Sequence, residues 1–372
     1  VMQIGVPKEV KNHEYRVGLT PDSVQELVSA GHQVLVEQNA GAAIDFADED
    51  FRRAGAVIAP SAAEVFARAD MIVKIKEPQP DECQMLKTGQ LLFTYLHLAA
   101  DPRQAELLLK SGAIAMAYET VTDDRGHLPL LAPMSEVAGR MAVQAGAHHL
   151  EKAQGGRGVL LGGVPGVAPA RVLILGGGVV GSNAAGVALG IGADVTIMDR
   201  SVERLRELDR MFPASIRCVY ATAAAIENYL PEADLVIGAV LLPGASAPRL
   251  VTREMVGRMK PGAVVVDVAI DQGGCFATSR PTSHQDPTYV VDGVIHYCVA
   301  NMPGGVARTA TQALNNVTLP FVLQLADNPV RALLTNANLR NGLTIHCGRV
   351  THKAVADSLG HDFTDAFEAL KK

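Results

Sequence analysis

A chain of 372 residues, 48% hydrophobic and 19% charged, has length for about two domains and enough apolar content for each to bury a core, which excludes overall disorder. Its 33 Lys plus Arg against 39 Asp plus Glu leave a net charge of -6, which excludes the electrostatic footprint of a nucleic-acid or anionic-membrane binder and favours a small-molecule partner. Gly, Pro and charged residues break every apolar run short of the roughly 18 residues that span a membrane, and the first residues carry no basic segment with an apolar signal core, so a cytoplasmic protein is expected.

In chain order, Gln3 to Pro7 reads as a short strand, and Thr20-Pro21-Asp22 as the capped start of a helix that continues to Gly31. Strands follow at 32–37, 56–58, 71–75 and 91–95, with helices at 48–54 and 61–69 between them. Strands alternating with helices predict a parallel α/β unit, reaching to about residue 130. Val137, Met141, Val143, Ala147 and Leu150 recur at helical spacing, predicting a long helix from Met134 to Lys152 that ends at the Gly-rich stretch 155–166. A second alternation then runs from Arg171 to Val268, with a helix opening after Gly181 and strand-like segments at 171–175, 194–198, 233–240 and 263–268. Another long helix begins near Thr309, and the mixed, largely helical tail is expected to pack back on the first unit.

The strand Arg171 to Leu175 runs into Gly176-Gly177-Gly178-Val179-Val180-Gly181 ahead of an Ala-rich helix. A bare G-x-G-x-x-G is common by chance, but this one has the context the chemistry needs. Gly176 makes the tight turn, Gly178 lets the backbone approach a pyrophosphate, Gly181 allows close helix packing, and the helix N-terminus faces the phosphates. The next strand ends in Asp199, about 20 residues on, where a carboxylate can bond the ribose hydroxyls and repel a 2′-phosphate, so NAD is expected rather than NADP, although Arg200 beside it could tolerate the phosphate. A glycine turn that binds nothing is the alternative.

Candidate catalytic groups follow other strands. Lys74 and Lys76 share a face if the strand persists, and His97 follows an apolar strand, where it offers proton exchange near neutrality. Arg16, in the loop after the first strand, offers a two-bond clamp for a carboxylate. Each has an ordinary counterpart: a solvated lysine, a hydrogen-bonded core histidine, a surface arginine. Asp271 ends an apolar strand beside Gly273-Gly274 and is placed to face a cofactor, whereas Asp267 sits deeper and reads as structural. Asn301 lies in an Asn-Met-Pro-Gly turn. The five cysteines, Cys83, Cys218, Cys275, Cys298 and Cys347, are widely spaced without C-x-x-C, so neither a disulfide framework nor a metal site is expected.

Taken together, Gly5-Val6-Pro7-Lys8-Glu9 with Asn12, Glu14 and Arg16, Val73 to Pro78, Phe93 to Ala100, Ala117 to Thr120, Pro129 to Ser135, Gly155 to Val167, Asp271 to Cys275 and Val299 to Pro303 resemble the alanine dehydrogenase / pyridine nucleotide transhydrogenase α-subunit family nearly end to end, and its alanine dehydrogenase branch in particular. The resemblance implies NAD-dependent oxidation of L-alanine to pyruvate and ammonium, and the reverse. It implies that hydride leaves the alanine Cα, that water attacks the resulting iminium, and that the carbinolamine expels ammonia. Arg16 and Lys76 would bind substrate, His97 would be the acid/base, and Asp271 a second catalytic group. Ser135, Gly176, Gly178, Val179, Val180, Gly181, Asp199, Arg204, Thr222, Val240, Leu241, Ala269, Ile270, Asp271, Val299, Ala300, Asn301 and Met302 would line the cofactor. Where relatives often carry Ser beside the adenosine, this chain has Tyr220-Ala221-Thr222, so that contact either lapses or passes to Thr222.

The implied fold is α/β, two Rossmann-like doubly wound domains: a discontinuous substrate domain, 1–130 with 308–372, and an inserted NAD-binding domain, 131–307, joined by long hinge helices with the active site in the cleft. A homohexamer is implied as well. The rival readings are the NAD(H)-binding subunit of a transhydrogenase, a saccharopine dehydrogenase, and a non-enzymatic NAD-binding protein. Arg16, Lys76 and His97 weigh against the first, the His97 and Asp271 blocks against the second, and Lys76, His97 and Asp271 against the third.

Overall fold

The apolar run after Met2 forms β1 (Gln3–Val6), and Thr20 caps the following helix, Pro21–Ser29, by accepting from the Ser23 N–H. The alternation continues through β2 (Gln33–Glu37), β3 (Val57–Ala59), β4 (Met71–Val73), β5 (Leu91–Thr94) and β6 (Ile114–Ala117), all parallel. The computed structural model describes residues 1–242 and 246–371. Contacts divide the chain into a first unit of Val1–Met134 with Val306–Lys372 and a second of Ser135–Gly305. The boundaries fall inside a long helix, Ala132–His149, and just ahead of another, Ala307–Asp327.

The second unit contains β7 (Arg171–Leu175), β8 (Asp194–Asp199), β9 (Arg217–Tyr220), β10 (Leu235–Gly238), β11 (Val264–Asp267), β12 (Thr288–Val291) and β13 (Val294–Tyr297). Its order is β12-β13-β11-β10-β7-β8-β9, parallel except for β12 at the edge. Alternation along the strands supplies two cores: Val172, Ile174, Val195 and Ile197 face one, while Leu173, Leu175, Met198 and Val236 face the other. Both faces are therefore covered, as a parallel sheet requires.

The tail returns to the first unit as β14 (Leu343–His346) and β15 (Arg349–Val350), where β14 pairs antiparallel with β6. The first sheet then reads β15-β14-β6-β5-β4-β1-β2-β3. Stripped of their antiparallel edges, the two sheets have the same strand order, the 3-2-1-4-5-6 of dinucleotide-binding folds. The chain is α/β with two Rossmann-like sheets.

Three local expectations need correction. The strand predicted over 71–75 ends at Val73, because Lys74 turns into a buried carboxylate pair, so Lys74 and Lys76 do not share a strand face. The helix expected after Gly181 already begins at Val179, since Gly178 occupies its N-cap. The tail is not merely helical, because β14 and β15 extend the first sheet.

Candidate active site and nucleotide site

In an open parallel sheet, ligands gather outside the carboxyl ends of the strands where the order reverses. In the first unit that point lies between β1 and β4. Glu9 follows β1, and Lys74 and Lys76 follow β4. Lys74 is fully buried, its Nζ 2.7 Å from Glu9 Oε2 and 3.0 Å from Glu82 Oε2. Burial alone would push the Lys74 ammonium down, but the charges of Glu9 and Glu82 outweigh it and hold it above the ordinary lysine value. Burial pushes Glu9 up against the opposing charge of Lys74.

The other oxygen of Glu9 accepts from the backbone N–H groups of Lys76 at 2.7 Å and Ile75 at 3.3 Å, and Thr94 Oγ1 donates to the Lys76 carbonyl at 2.9 Å. These bonds fix the Lys76 backbone and leave its side chain to act. Among the described residues its ammonium forms no ion pair. Burial, reinforced by the positive charge of Arg16, holds Lys76 below the ordinary lysine value.

Arg16 is buried beside it. Glu14 accepts from Arg16 Nε at 2.9 Å and from Nη2 at 2.5 Å, a two-bond clamp that fixes the guanidinium plane, while Nη1 lies 3.3 Å from Met134 Sδ. Burial would raise the Glu14 carboxyl, but the hydrogen bonds and charge of Arg16 hold it below the usual range. The segment is stapled to the helix Ala307–Asp327: Thr20 N–H donates to Asn315 Oδ1 at 2.9 Å, and Asn315 Nδ2 donates to the Gly18 carbonyl at 3.2 Å. Gly18 passes so close to β4 that a Cβ there would stand 2.4 Å from the Val73 carbonyl oxygen.

His97 follows β5 in a left-handed conformation, φ 50° and ψ 40°. The Glu119 carboxylate, past the end of β6, accepts from the His97 N–H at 2.6 Å and the Leu96 N–H at 3.2 Å. The imidazole stacks on Tyr95 with ring centroids 6.0 Å apart and planes 10° from parallel, and Tyr95 Oη is tied to the Leu130 carbonyl at 2.5 Å. Burial raises the Tyr95 hydroxyl, against the opposing charge of Arg16.

The second unit repeats the arrangement at its own strand ends. Gly176 turns at φ 105°, and a Cβ there would stand 2.8 Å from the Ala239 carbonyl oxygen and 2.9 Å from Val240 Cγ2, which puts Val240 beside the turn. A Cβ on Gly181 would lie 1.8 Å from the Gly176 carbonyl oxygen, so only glycine permits this packing. A Cβ on Gly178 would meet nothing within 4 Å, so the glycine turn ahead of helix Val179–Ile191 is open where a pyrophosphate would sit. Val179 is exposed there and Val180 is buried beneath the turn.

Asp199 ends β8. Its Oδ2 accepts from the Gly177 N–H at 2.9 Å and its Oδ1 from the Ser201 N–H at 2.8 Å. Arg204 Nε donates to the Gly177 carbonyl at 2.6 Å. These groups fit a nicotinamide dinucleotide: an open phosphate turn, then a carboxylate and a guanidinium where the adenosine ribose belongs. Thr222 caps the helix Ala223–Tyr229 through the Ala225 N–H at 3.0 Å, so its hydroxyl is already engaged.

Ala269, Ile270 and Asp271 lie in a 3-10 turn, Val268–Gln272, at the end of β11. Asp267 holds that turn: it is fully buried and accepts from the Ala269 N–H at 3.1 Å, the Cys275 N–H at 2.8 Å and Ser279 Oγ at 2.5 Å. Gln272 joins the turn to Leu242, next to Leu241, by bonds in both directions at 3.0 Å. After β13, Val299 and Met302 are buried and Asn301 is left-handed at φ 57°, its carbonyl 2.9 Å from His284 Nε2. Ser135 opens the second unit within the long helix.

Glu9, Glu119 and the clamp role of Glu14 were missed in the sequence. Of the three only Glu14 carried a signal, the arginine two residues on. Among the described residues no group of His, Cys, Asp and Glu is arranged to hold a metal ion, and no helix is long and apolar enough to cross a membrane.

The family models described as alanine dehydrogenase/PNT, N-terminal domain and C-terminal domain match residues 5–138 and 142–353. An alanine dehydrogenase of Halomonas elongata is 59% identical over 366 residues, 98% of this chain and 99% of that protein. The fold superimposes on a solved L-alanine dehydrogenase with a TM-score of 0.95 at 54% identity, covering 96% of this chain and 99% of the other. A transhydrogenase from Sinorhizobium meliloti gives a TM-score of 0.81 at 26% identity, over 95% of this chain and 99% of that one, which makes it the more distant likeness. With matches to both domain models and high identity along nearly its whole length, this chain belongs to the alanine dehydrogenase/PNT family.

Proposed function

We propose that the protein catalyses the NAD-dependent oxidative deamination of L-alanine to pyruvate and ammonium, and the reverse reductive amination. The observation that carries this reading is that buried Arg16, Lys76 after β4 and His97 after the neighbouring β5 all follow strands of the first sheet, the three groups a small amino acid needs: a carboxylate clamp, a cation for the carbonyl and a proton exchanger. Family membership and the alanine dehydrogenase names of its relatives support the same substrate.

Within this reading the first unit binds substrate and the second binds the nucleotide, which when bound accepts or returns the hydride. Arg16, its plane fixed by Glu14, orients the substrate carboxylate. Lys76 stabilises charge developing on the carbonyl oxygen, and a lysine that loses its proton more readily than usual is suited to share one there. His97 Nδ1 or Nε2 carries protons between water and the amine, and Asp271 is a second catalytic group, beside the nicotinamide. Asp199 favours NAD, since a 2′-phosphate would meet its carboxylate. The homohexamer and the cytoplasmic location implied by family resemblance belong to the same proposal.

The test is NADH formation, followed by absorbance, with L-alanine as substrate. Turnover that His97→Ala abolishes supports the reading. Folded protein that binds NADH yet leaves L-alanine and neighbouring amino acids unoxidised overturns it in favour of a non-enzymatic NAD-binding protein.

A further inference from the structure

Resting on the nucleotide site just proposed, we infer that Glu207 is a cofactor-specificity residue, which together with Asp199 bars a 2′-phosphorylated dinucleotide. Arg204 is the cation anchored at the ribose end of the site: its Nε is fixed to the Gly177 carbonyl at 2.6 Å, and the Gly177 N–H is bonded to Asp199. A dianionic 2′-phosphate at this spot would recruit that guanidinium, because arginine meets phosphate with two parallel N–H bonds. Nη1, on the edge such a pairing would use, is taken instead by Glu207 Oε2 at 2.6 Å.

Glu207 therefore acts twice. It occupies donor capacity that the phosphate would need, and it adds a second negative charge behind the first. Its position is set by helix geometry, since residues three apart on Val202–Met211 share a face, so Arg204 and Glu207 meet without distorting the backbone. Asp199 by itself would leave a fixed arginine beside the site, and an arginine there is what accommodates a 2′-phosphate in related folds. The bland alternative is an exposed i,i+3 ion pair that only decorates the helix.

The experiment measures NADH and NADPH dissociation constants by fluorescence titration at low and high salt for the intact protein, Glu207→Gln, Asp199→Ala and the double variant. Glu207 is half-exposed, so its replacement leaves the fold intact. Glu207→Gln is expected to tighten NADPH about two- to fivefold, the scale of a partly exposed ion pair, with NADH affinity moving less. In the Asp199→Ala background the same change is expected to have a larger effect, because the carboxylate that repels the phosphate is then gone, and high salt is expected to shrink it. An unchanged NADPH to NADH ratio in both backgrounds overturns the role of Glu207 while the nucleotide site stands. An intact protein that binds neither nucleotide overturns the site and the inference together.

Discussion

The backbone N–H of His97 donates to Glu119 Oε1 at 2.6 Å, from a residue whose φ is 50°. Left-handed backbone at a non-glycine residue costs energy and persists only where its surroundings enforce it. Glu119 is that enforcement, and it determines where the imidazole stands. Glu119→Ala is expected to lower kcat on the order of a hundredfold, the cost of misplacing a reacting group by about 1 Å. Glu119→Gln, which keeps an accepting oxygen, is expected to lose much less. Steady-state kinetics of both variants, with near-ultraviolet circular dichroism to verify folding, check this, and equal losses would contradict it.

The buried set Glu9, Lys74 and Glu82 makes a claim about stability. Lys74→Met would leave two carboxylates in the interior without their cation and is expected to cost about 3–5 kcal/mol in urea unfolding. Replacing Lys76, which pairs with no carboxylate among the described residues, is expected to cost far less stability and far more activity. Denaturation midpoints for the two variants separate these roles, although the lysines stand two positions apart.

A pH dependence follows from Lys76. Because burial and Arg16 hold it below the ordinary lysine value, its charge is lost at a lower pH than that of a free lysine. Binding of pyruvate should therefore weaken on the alkaline side, and KM should rise there first. Lys76→Arg keeps a cation that does not titrate in this range, so the alkaline rise in KM should disappear even where kcat falls. A rise that survives the substitution would assign it to another group.

The turn that carries Asp271 depends on Gly274. Its φ is 87°, and a Cβ there would stand 2.5 Å from Asp267 Oδ2 and 2.8 Å from Ser279 Cβ. Gly274→Ala is expected to cost about 1–3 kcal/mol in stability and to loosen NADH binding through the displaced Val268–Gln272 turn. Isothermal titration with NADH, alongside thermal melts, tests both parts. Tight binding in a destabilised variant would uncouple the turn from the nucleotide.

The glycine turn, Asp199 and most of the strands flanking the sites could be read from sequence because each depends on neighbours a few residues away. The segments Ile114–Ala117 and Arg217–Tyr220 could not, since they are short and poor in β-branched residues and become strands by pairing with β5 and β8. The strand at Met71 was overrun by two residues because alternation continues through Lys74 and Ile75, while the carboxylates that draw Lys74 inward come from Glu9 and Glu82. Glu9 and Glu119 stayed hidden for a related reason. Both accept from backbone N–H groups brought near by the sheet, and no side-chain pattern announces a backbone donor.

The pairing of Leu343 in β14 with Met116 in β6 has a consequence for the newborn chain. At about 5–20 residues per second, β14 leaves the ribosome tens of seconds after β6. During that interval the second unit, contiguous in sequence, has all its strands available and can fold, while the β6 edge presents unpaired N–H and C=O groups that another copy could capture. The growing polypeptide is thus most vulnerable to self-association after its central portion is complete, and the late arrival of one four-residue strand closes that window.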